Sequence, residues 1–232
     1  MDNRYERERM LIGDDALDQL RRSRIALFGV GGVGAAAAEA LARAGVGQID
    51  IIDNDTVSIT NINRQLCALS STVGRDKVDV VAERIRDIDP NINVNAIKMF
   101  FMPDTEFDLS GYDYVIDAID TVAAKVEIAV RASLAGVPLI SCMGTGNKLD
   151  PTALTVTDLS KTSVCPLARV MRRELRQRGI THMKVVYSTE EPKITIITDT
   201  EKRTPSSISF VPPVAGFIAA GEAIRDILGI KR

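Results

Sequence analysis

The stretch that decides the fold runs from residue 25 to residue 55. It reads IALF over 25–28, GVGGVG over 29–34 and AAAAEALARA over 35–44, and it continues with IDII over 49–52 and an acidic end at Asp53 and Asp55. The order predicts an apolar strand, a glycine turn, a helix and a second strand. Gly29, Gly31 and Gly34 have the spacing at which the first glycine permits a tight turn, the second lets backbone approach a phosphate, and the third lets helix and strand pack closely.

The helix after this turn begins with unpaired N–H groups and the positive end of its dipole, which favour an anion. Asp53 stands about 20 residues past the turn, where an acidic residue normally binds a ribose hydroxyl. Strand, turn, helix, strand and acid together predict a nucleotide site. The alternative is a tight turn that binds nothing.

Length and composition suit one large α/β domain. The chain has 232 residues, of which 45% are hydrophobic and 26% charged, enough to bury a sizeable core. A net charge of −2 gives no overall sign of affinity for nucleic acid or membranes, so any basic site must be local.

The three cysteines, Cys67, Cys142 and Cys165, lie far apart and form no CxxC pair. This spacing argues against a disulfide framework and a structural zinc site, and favours small buried hydrophobic residues in a reducing cytoplasm. The amino terminus lacks the apolar core of a signal peptide, and we find no long transmembrane run.

Strand and helix patterns alternate up to residue 143. Apolar strands are predicted over 93–101, 114–117 and 139–143, with helices over 74–89 and 123–135. Such alternation predicts an α/β, Rossmann-like fold: a doubly wound, mostly parallel sheet with right-handed crossovers. We expect a single domain over 1–232, with a nucleotide-binding core at about 24–143 and an extension at about 144–232.

Polar residues follow two of these strands. The irregular stretch 57–72 carries Asn61 and Arg64, and long loops at the carboxyl end of a strand are usually functional. Lys77 lies in the first turn of a helix, where the dipole opposes a cation unless an anionic ligand is near. Asp120 follows the strand 114–117, at the edge where open parallel sheets bind ligands. Together with Asp53 and Asp55, these side chains suit phosphate and a metal ion better than a nicotinamide.

From Gly144 the pattern changes to a β-rich extension with a final helix. Strands are predicted over 154–157 and 185–187, a β-rich segment over 193–198 and a polar loop over 200–209. A basic helix over 166–178 carries Arg169, Arg172, Arg173, Arg176 and Arg178 against one acid, Glu174. A charged helix face is usually only solvated, but this density favours contact with a polyanion. The Gly/Ala-rich helix over 214–228 is expected in the core or at a dimer interface, with membrane-surface contact the weaker alternative.

A series of motifs is similar to the adenylating superfamily of ubiquitin-activating enzymes and of molybdopterin- and thiamine-pathway enzymes. The motifs are GVGGVG at 29–34, DNDTV at 53–57, NINRQ at 61–65, VGRDK at 73–77 and DAID at 117–120. Four further stretches resemble the family of tRNA threonylcarbamoyladenosine dehydratases: DPT at 150–152, TDLSKT at 157–162, CPL at 165–167 and YSTE at 187–190.

The resemblance implies ATP and Mg²⁺ as cofactors, a homodimer, and a tRNA carrying threonylcarbamoyladenosine as substrate. It also implies a sulfur-acceptor partner linked to a cysteine desulfurase. Carried onto this sequence, it gives the phosphates to Gly29, Gly31, Gly32 and Gly34, the ribose to Asp53 beside Asp55, the triphosphate to Asn61, Arg64 and Lys77, and Mg²⁺ to Asp120. Arg7 corresponds to an arginine that reaches into the neighbouring subunit's site. The catalytic set is then Arg7, Arg64, Lys77 and Asp120.

The implied reaction is a cyclodehydration. ATP would adenylate the threonine carboxylate, and a urea-type nitrogen would attack the acyl adenylate, close a five-membered ring and release AMP. No covalent enzyme intermediate is then needed. Three rival classes stay open: adenylation of the carboxyl terminus of a ubiquitin-like or sulfur-carrier protein, a nicotinamide-dependent oxidoreductase, and a nucleotide-binding scaffold without catalysis.

Overall fold

The computed structural model describes residues 3–193 and 205–231. Within these ranges the strands are β1 Arg24–Phe28, β2 Gln48–Asp53, β3 Asn93–Lys98, β4 Tyr114–Asp117, β5 Leu139–Cys142, β6 Leu154–Asp158 and β7 Lys184–Ser188. The α helices are α1 Glu6–Ile12, α2 Asp14–Arg22, α3 Gly34–Arg43, α4 Lys77–Ile88, α5 Val122–Ala135, α6 Pro166–Arg176 and α7 Val211–Ile227. Short 3₁₀ turns lie at Asn3–Tyr5, Ile59–Asn61, Pro151–Ala153 and Leu159–Lys161.

The strands form one seven-stranded sheet in the order β3-β2-β1-β4-β5-β7-β6. All neighbouring pairs are parallel except β6 with β7, which is antiparallel. Helices cover both faces, as a parallel sheet requires. The predicted Rossmann-like, doubly wound and mostly parallel α/β fold is confirmed.

Successive residues of β1 point to opposite faces of the sheet. Ile25 and Leu27 pack in the core shared with α3, α4 and α7, whereas Ala26 and Phe28 pack in the core shared with α5. A third cluster joins α5 to α6. Because both faces are buried, β1 reads as a continuous apolar run rather than an alternating one.

The strand order reverses between β1 and β4, so the crossovers leave in opposite directions from this pair. Ligands of open α/β sheets bind in the crevice outside the carboxyl ends of strands at such a switch point. Gly29 follows β1 and Asp120 follows β4, so the fold brings the predicted glycine turn and the predicted metal ligand to the same crevice.

The extension adds to the same sheet. The chain crosses from β6 through α6 to β7, which pairs in parallel with β5, and leaves β6 at the edge. The predicted basic helix ends two residues early, at Arg176. Residues 194–204, which include most of the predicted β-rich segment and half of the polar loop, lie outside the described residues. Among the helices that the structure does describe, none combines the length and hydrophobicity needed to cross a bilayer.

Candidate functional site

The glycine loop between β1 and α3 has no room for side chains. Gly29 has φ +85°, and a Cβ there would lie 2.8 Å from the carbonyl oxygen of Ala118. A Cβ on Gly34 would overlap the carbonyl oxygen of Gly29. Helix α3 begins at Gly34 without a side-chain cap, so its first N–H groups face the crevice with only backbone around them. This arrangement fits a phosphate group.

Asp53, at the carboxyl end of β2, holds the loop in place. Its Oδ2 accepts a hydrogen bond from Val30 N at 2.8 Å, and its Oδ1 accepts one from Asp55 N at 2.8 Å. Each carboxylate oxygen has a second lone pair. Asp53 can therefore fix the glycine loop and still accept a hydroxyl of a ribose.

The polar stretch after β2 folds back against the glycine loop. A capping box joins Ser58 and Asn61, in which Ser58 N donates to Asn61 Oδ1 at 3.0 Å. This buries Asn61 and sets the 3₁₀ turn that precedes Arg64. The Arg64 carbonyl and Cγ lie 3.4 and 3.6 Å from where a Cβ of Gly32 would be, and Arg64 Nη1 donates to the carbonyl of Thr60 at 3.0 Å. Arg64 thus lies beside Gly32 of the glycine loop, whereas Asn61 fixes the fold of the stretch, and the phosphate contacts of both stay a prediction.

Lys77 opens α4 and is buried, with 6% of its side chain exposed, while Asp55 is 58% exposed. The ammonium Nζ donates to Asp55 Oδ2 at 2.7 Å. Because an ammonium has three donors, Lys77 keeps donors for an incoming anion. The unusual cation in the first turn of this helix therefore has a local acid as its partner.

A buried ion pair fixes the end of β4. Asp117 and Lys125 are both 0% exposed, and Lys125 Nζ lies 2.8 Å from Asp117 Oδ2. The same ammonium donates to the carbonyl oxygens of Ile119 at 3.1 Å and Cys142 at 2.9 Å. The Ser141 hydroxyl donates to Asp117 Oδ2 at 2.5 Å. The sequence interpretation did not single out Lys125.

A signal for Lys125 exists in the sequence. It shares one face of α5 with Ala129 and Ala132, both of which are buried, and a lysine in an apolar stripe is rarely solvated. Asp120, by contrast, is exposed on the turn after β4. It makes no hydrogen bond or ion pair with any residue in the described ranges, and its carboxylate is available to a ligand.

Arg7 lies apart from these residues within one chain. Its neighbour Tyr5 donates to the Ala42 carbonyl at 3.1 Å and to Asp89 Oδ2 at 2.8 Å. Ala42 lies near the carboxyl end of α3, and Asp89 follows the carboxyl end of α4. At ~1.5 Å per residue, Asp89 is about 18 Å along α4 from Lys77, at the end of the helix away from the glycine loop. Arg7 itself is exposed on α1.

The five arginines predicted to form one basic patch on α6 do not share one environment. Arg172 is half-buried, and its Nη1 donates to the carbonyl oxygen of Thr162 at 2.9 Å and to the Thr162 hydroxyl. Arg178 lies beyond the helix and, like Arg173, pairs with Glu174. Hydrogen bonds from Arg173 and Arg178 hold the pKa of Glu174 below its usual range.

Two arginines of α6, Arg169 and Arg176, are exposed and have no hydrogen bond or ion pair within the described ranges. The prediction that Arg178 lies on this helix is therefore wrong, because it lies past the end of α6. Arg172 braces the loop before α6, and contact of the basic helix with a polyanion stays a prediction.

All three cysteines are buried and unpaired, as the sequence interpretation favoured. Burial raises the pKa of Cys67, and it raises the pKa of Cys142 to about 12. A protonated, inaccessible thiol is a poor nucleophile. The three buried thiols are therefore inaccessible to a substrate.

The site residues fit ATP with Mg²⁺. In the glycine loop, Gly29 N donates to the Ile52 carbonyl and Val30 N to Asp53 Oδ2. The backbone N–H groups that suit a phosphate are therefore those nearer the start of α3, with Asp53 beside them. No group of three or more His, Cys, Asp or Glu side chains able to hold a metal occurs in ranges 3–193 and 205–231. Mg²⁺ usually binds through one or two carboxylates together with substrate phosphates and waters, so the carboxylate of Asp120 suits it.

Comparison with known proteins places this site in a family context. The model of the ThiF family matches residues 5–232. The chain is 45% identical to the tRNA threonylcarbamoyladenosine dehydratase of Bacillus subtilis strain 168, over 97% of this chain and 95% of the relative. It is similar to the crystal structure of E. coli tRNA N6-threonylcarbamoyladenosine dehydratase, TcdA, in complex with ATP, with TM-score 0.88, 36% identity and coverage of 98% and 94%.

A relative with a different name matches less of the chain. The molybdopterin-synthase adenylyltransferase of Salmonella typhimurium strain LT2 is 36% identical over 60% of this chain and 57% of the relative. A match of that length leaves a large part of this chain unaligned, whereas the two dehydratases are similar over nearly all of it.

Proposed function

The chain belongs to the ThiF family, and from its site we propose that it is an ATP-dependent enzyme that cyclises N6-threonylcarbamoyladenosine at position 37 of tRNA. The observation that carries the proposal is the phosphate cradle of Gly29 and Gly34 within a chain that resembles dehydratases over nearly its whole length. A carrier-protein adenylating enzyme is the second candidate, favoured by similarity of part of the chain to an adenylyltransferase.

In the proposed reaction, a threonine carboxylate oxygen attacks the α-phosphorus of ATP, and the bond to the β-phosphate breaks to release pyrophosphate. A urea-type nitrogen of the same substituent then attacks the acyl carbon and loses its proton, the bond to AMP breaks, and a five-membered ring closes. Adenylation turns a poor leaving group into a good one, so no enzyme nucleophile is required.

The chain's residues would bind and orient ATP. Gly29, Gly31, Gly32 and Gly34 would present backbone to the phosphates, and Asp53 would hold the ribose. Arg64 and Lys77 would bind the triphosphate and stabilise the charge that develops on pyrophosphate. Asp120 would hold Mg²⁺, which when bound draws negative charge from the phosphates. Asn61 and Asp55 would act indirectly. Asn61 would fix the fold of the polar stretch, and Asp55 would position the ammonium of Lys77.

The proposal treats residues 1–232 as one adenylating domain. Its support is that β6 and β7 of the extension continue the sheet of the core, and that α7 packs on α3, β4 and β5. With three free buried thiols, a reducing cytoplasm is the compartment that suits this domain. A sulfur-acceptor partner linked to a cysteine desulfurase gains no support from the site, because a sulfur relay needs an accessible thiol.

A homodimer is proposed from exposed apolar residues beside the site. Ile59 is 65% and Leu69 55% exposed in the polar stretch, and Phe210 and Phe217 are 42% and 45% exposed at α7. Asn63 Nδ2 donates to the Ser207 carbonyl at 3.1 Å, which joins the two segments into one surface. Exposed apolar side chains on two segments that touch are typical of an interface. A second copy is the occupant that would also supply Arg7.

Subunit mixing tests this arrangement. An Arg7→Ala chain and an Asp120→Asn chain should each be inactive, whereas an equilibrated equal mixture should regain about a quarter of the wild-type activity, because half the dimers carry one intact composite site. Sedimentation velocity measures the dimer itself. Absence of rescue in a mixture that demonstrably exchanges subunits would contradict a shared site.

The exposed arginines of α6 are proposed to contact the tRNA backbone. Within Pro166–Arg176 the net charge is +3, on a chain whose net charge is −2. Each phosphate contact releases counterions, and log K falls with log salt by about 0.7–0.9 per contact. Replacing Arg169 and Arg176 with alanine should lower this slope by roughly 1–2 and leave ATP binding unchanged. An unaltered slope would place tRNA on another surface.

The decisive experiment supplies the protein with Mg-ATP and one of three acceptors: threonylcarbamoyl-modified tRNA, unmodified tRNA, or a sulfur-carrier protein. The modified nucleoside should lose the mass of one water, with AMP released only in that reaction. Asp120→Asn is the matched control and should release no AMP. If the nucleoside mass stays constant and the carrier terminus becomes adenylated, the second candidate replaces the first.

A further inference from the structure

The buried pair of Asp117 and Lys125 is costly for a stabilising device. Both side chains are 0% exposed, and taking two charges out of water usually costs as much as their attraction returns. A neutral pair, with asparagine at position 117 and methionine at position 125, would fill the same space without that cost. The presence of the pair is therefore better explained by the geometry it imposes than by stability.

The pair joins the carboxyl ends of two neighbouring strands. Lys125 Nζ contacts Asp117 Oδ2 at the end of β4, the Ile119 carbonyl in the next turn, and the Cys142 carbonyl at the end of β5. Asp117 Oδ1 in turn accepts a hydrogen bond from Ile119 N at 3.2 Å. The turn after β4 is thus held on both its N–H and its C=O side by one ion pair.

Two site features depend on that turn. Asp120 follows Ile119 directly and has no bond of its own in the described ranges, so its position is set by the residues before it. The backbone of Ala118 lies against Gly29, close enough that a Cβ on the glycine would meet it at 2.8 Å. Any shift of the turn moves both the carboxylate of Asp120 and the wall of the phosphate cradle.

We propose that Lys125 is a positioning residue for the Mg-ATP site, which acts through Asp117 and the turn 118–120 to place the carboxylate of Asp120. This inference rests on the proposed function, because it takes Asp120 as the Mg²⁺ ligand. Removing a side chain that orients a metal ligand through hydrogen bonds typically lowers metal affinity 10–100-fold.

The test is calorimetric titration of ATP into the full-length protein with Mg²⁺ and with EDTA. Lys125→Met alone would leave the Asp117 charge buried without its partner, so the main variant is the neutral pair Asp117→Asn with Lys125→Met. We expect this variant to fold cooperatively and to need about 10–100-fold more Mg²⁺ for half-maximal ATP binding. ATP binding in EDTA does not use Asp120 as a metal ligand and reports only a shift of the cradle wall, so it should change less than ATP binding with Mg²⁺.

Ile128→Val is the matched control. Ile128 is buried on the same helix, in the core cluster that contains Phe28, and the substitution removes one methylene without removing a charge or hydrogen bond that holds the turn. It should lower thermal stability slightly and leave the Mg²⁺ requirement at the wild-type value. A general loosening of α5 would instead raise the Mg²⁺ requirement in the control as well.

Ser141→Ala tests the same proposal in a milder form. It removes one hydrogen bond to Asp117 without changing charge, and should raise the Mg²⁺ requirement roughly twofold to tenfold. A wild-type Mg²⁺ requirement in both the neutral pair and Ser141→Ala overturns the inference and leaves the proposed function standing. A wild-type protein that binds no Mg-ATP overturns both.

Discussion

The packing of α7 on α3 gives the most specific prediction, because it requires a glycine, with no Cβ, at position 216 of α7. Gly216 of α7 faces the start of α3, and a Cβ there would overlap the carbonyl oxygen of Val33 and lie 2.9 Å from Ala37 N. The Val33 carbonyl accepts the first hydrogen bond of α3, from Ala37 N at 3.0 Å. Gly216→Ala therefore forces α7 and the start of α3 apart, next to the glycine loop.

The magnitude follows from two opposing effects. Overpacking a close contact costs about 1–3 kcal/mol, while alanine in place of glycine inside a helix gains about 0.5–1 kcal/mol. We expect a net loss of about 0.5–2 kcal/mol, which lowers Tm by roughly 1–8 °C in a chain of this size. An anion at a helix N-terminus gains about 0.3–2 kcal/mol, so displacing α3 should weaken ATP binding roughly two- to thirtyfold.

Gly221→Ala on the same helix is the control. A Cβ at Gly221 meets nothing within 4 Å, so the variant should be more stable by about 0.5–1 kcal/mol and bind ATP as the wild type does. Urea unfolding followed by circular dichroism gives the stability difference, and calorimetry gives the ATP affinity. If Gly216→Ala stabilises the protein as much as Gly221→Ala does, the close packing of α7 on α3 is wrong.

Three further predictions concern single side chains. Asp120→Asn should abolish AMP release while the unfolding free energy stays within about 0.5 kcal/mol of wild type. A larger loss of unfolding free energy would show that Asp120 has a structural role. Arg172→Ala should cost about 1–3 kcal/mol of stability because it removes a hydrogen-bonded guanidinium, whereas Arg169→Ala should cost less than about 0.5 kcal/mol; equal values in urea unfolding would contradict the difference. Burial alone would raise the pKa of Asp50, but hydrogen bonds from Tyr112 and Arg24 outweigh burial and hold that pKa below its usual range. Ionised Asp50 therefore stabilises the fold above the unfolded pKa of about 3.9. This stabilisation is lost as pH falls through the pKa of the folded state. Tyr112→Phe should reduce this loss in acid unfolding curves, and an unchanged acid limb would exclude Asp50 as its source.

The nucleotide core could be predicted because its information is local. Gly34 meets its steric requirement within one turn of chain, at the carbonyl oxygen of Gly29, and the glycine spacing shows it. The contact of Gly29 with the backbone of Ala118 is not visible in that spacing, although the tight turn is. The extension was harder to place. The strands β6 and β7 were recognised from their residues, but nothing in the sequence states that β7 pairs with β5 and that β6 lies outside it. That order depends on pairings between residues more than 40 positions apart.

The requirement at Gly216 is invisible in the sequence for the same reason. Gly216 lies against Val33, and no pattern in the sequence 211–227 predicts that contact. Arg172 shows the converse error. Its place on a basic helix suggested a cation available to a polyanion, but the loop before the helix places Thr162 within its reach. Charge patterns predict which face of a helix is polar, and they do not predict which polar side chains find a partner.

The distribution of charge at the proposed site fits the proposed homodimer. Of the cations predicted to bind the triphosphate, Lys77 is already paired with Asp55, and Arg64 is the other. A triphosphate carries several negative charges, which these two side chains compensate only in part. Arg7 has no acid partner within the described ranges, yet it lies at the edge of the sheet away from the cradle. A cation that is unpaired in its own chain and exposed on a short helix suits a site in another copy, where it would add the charge that Lys77 gives up to Asp55.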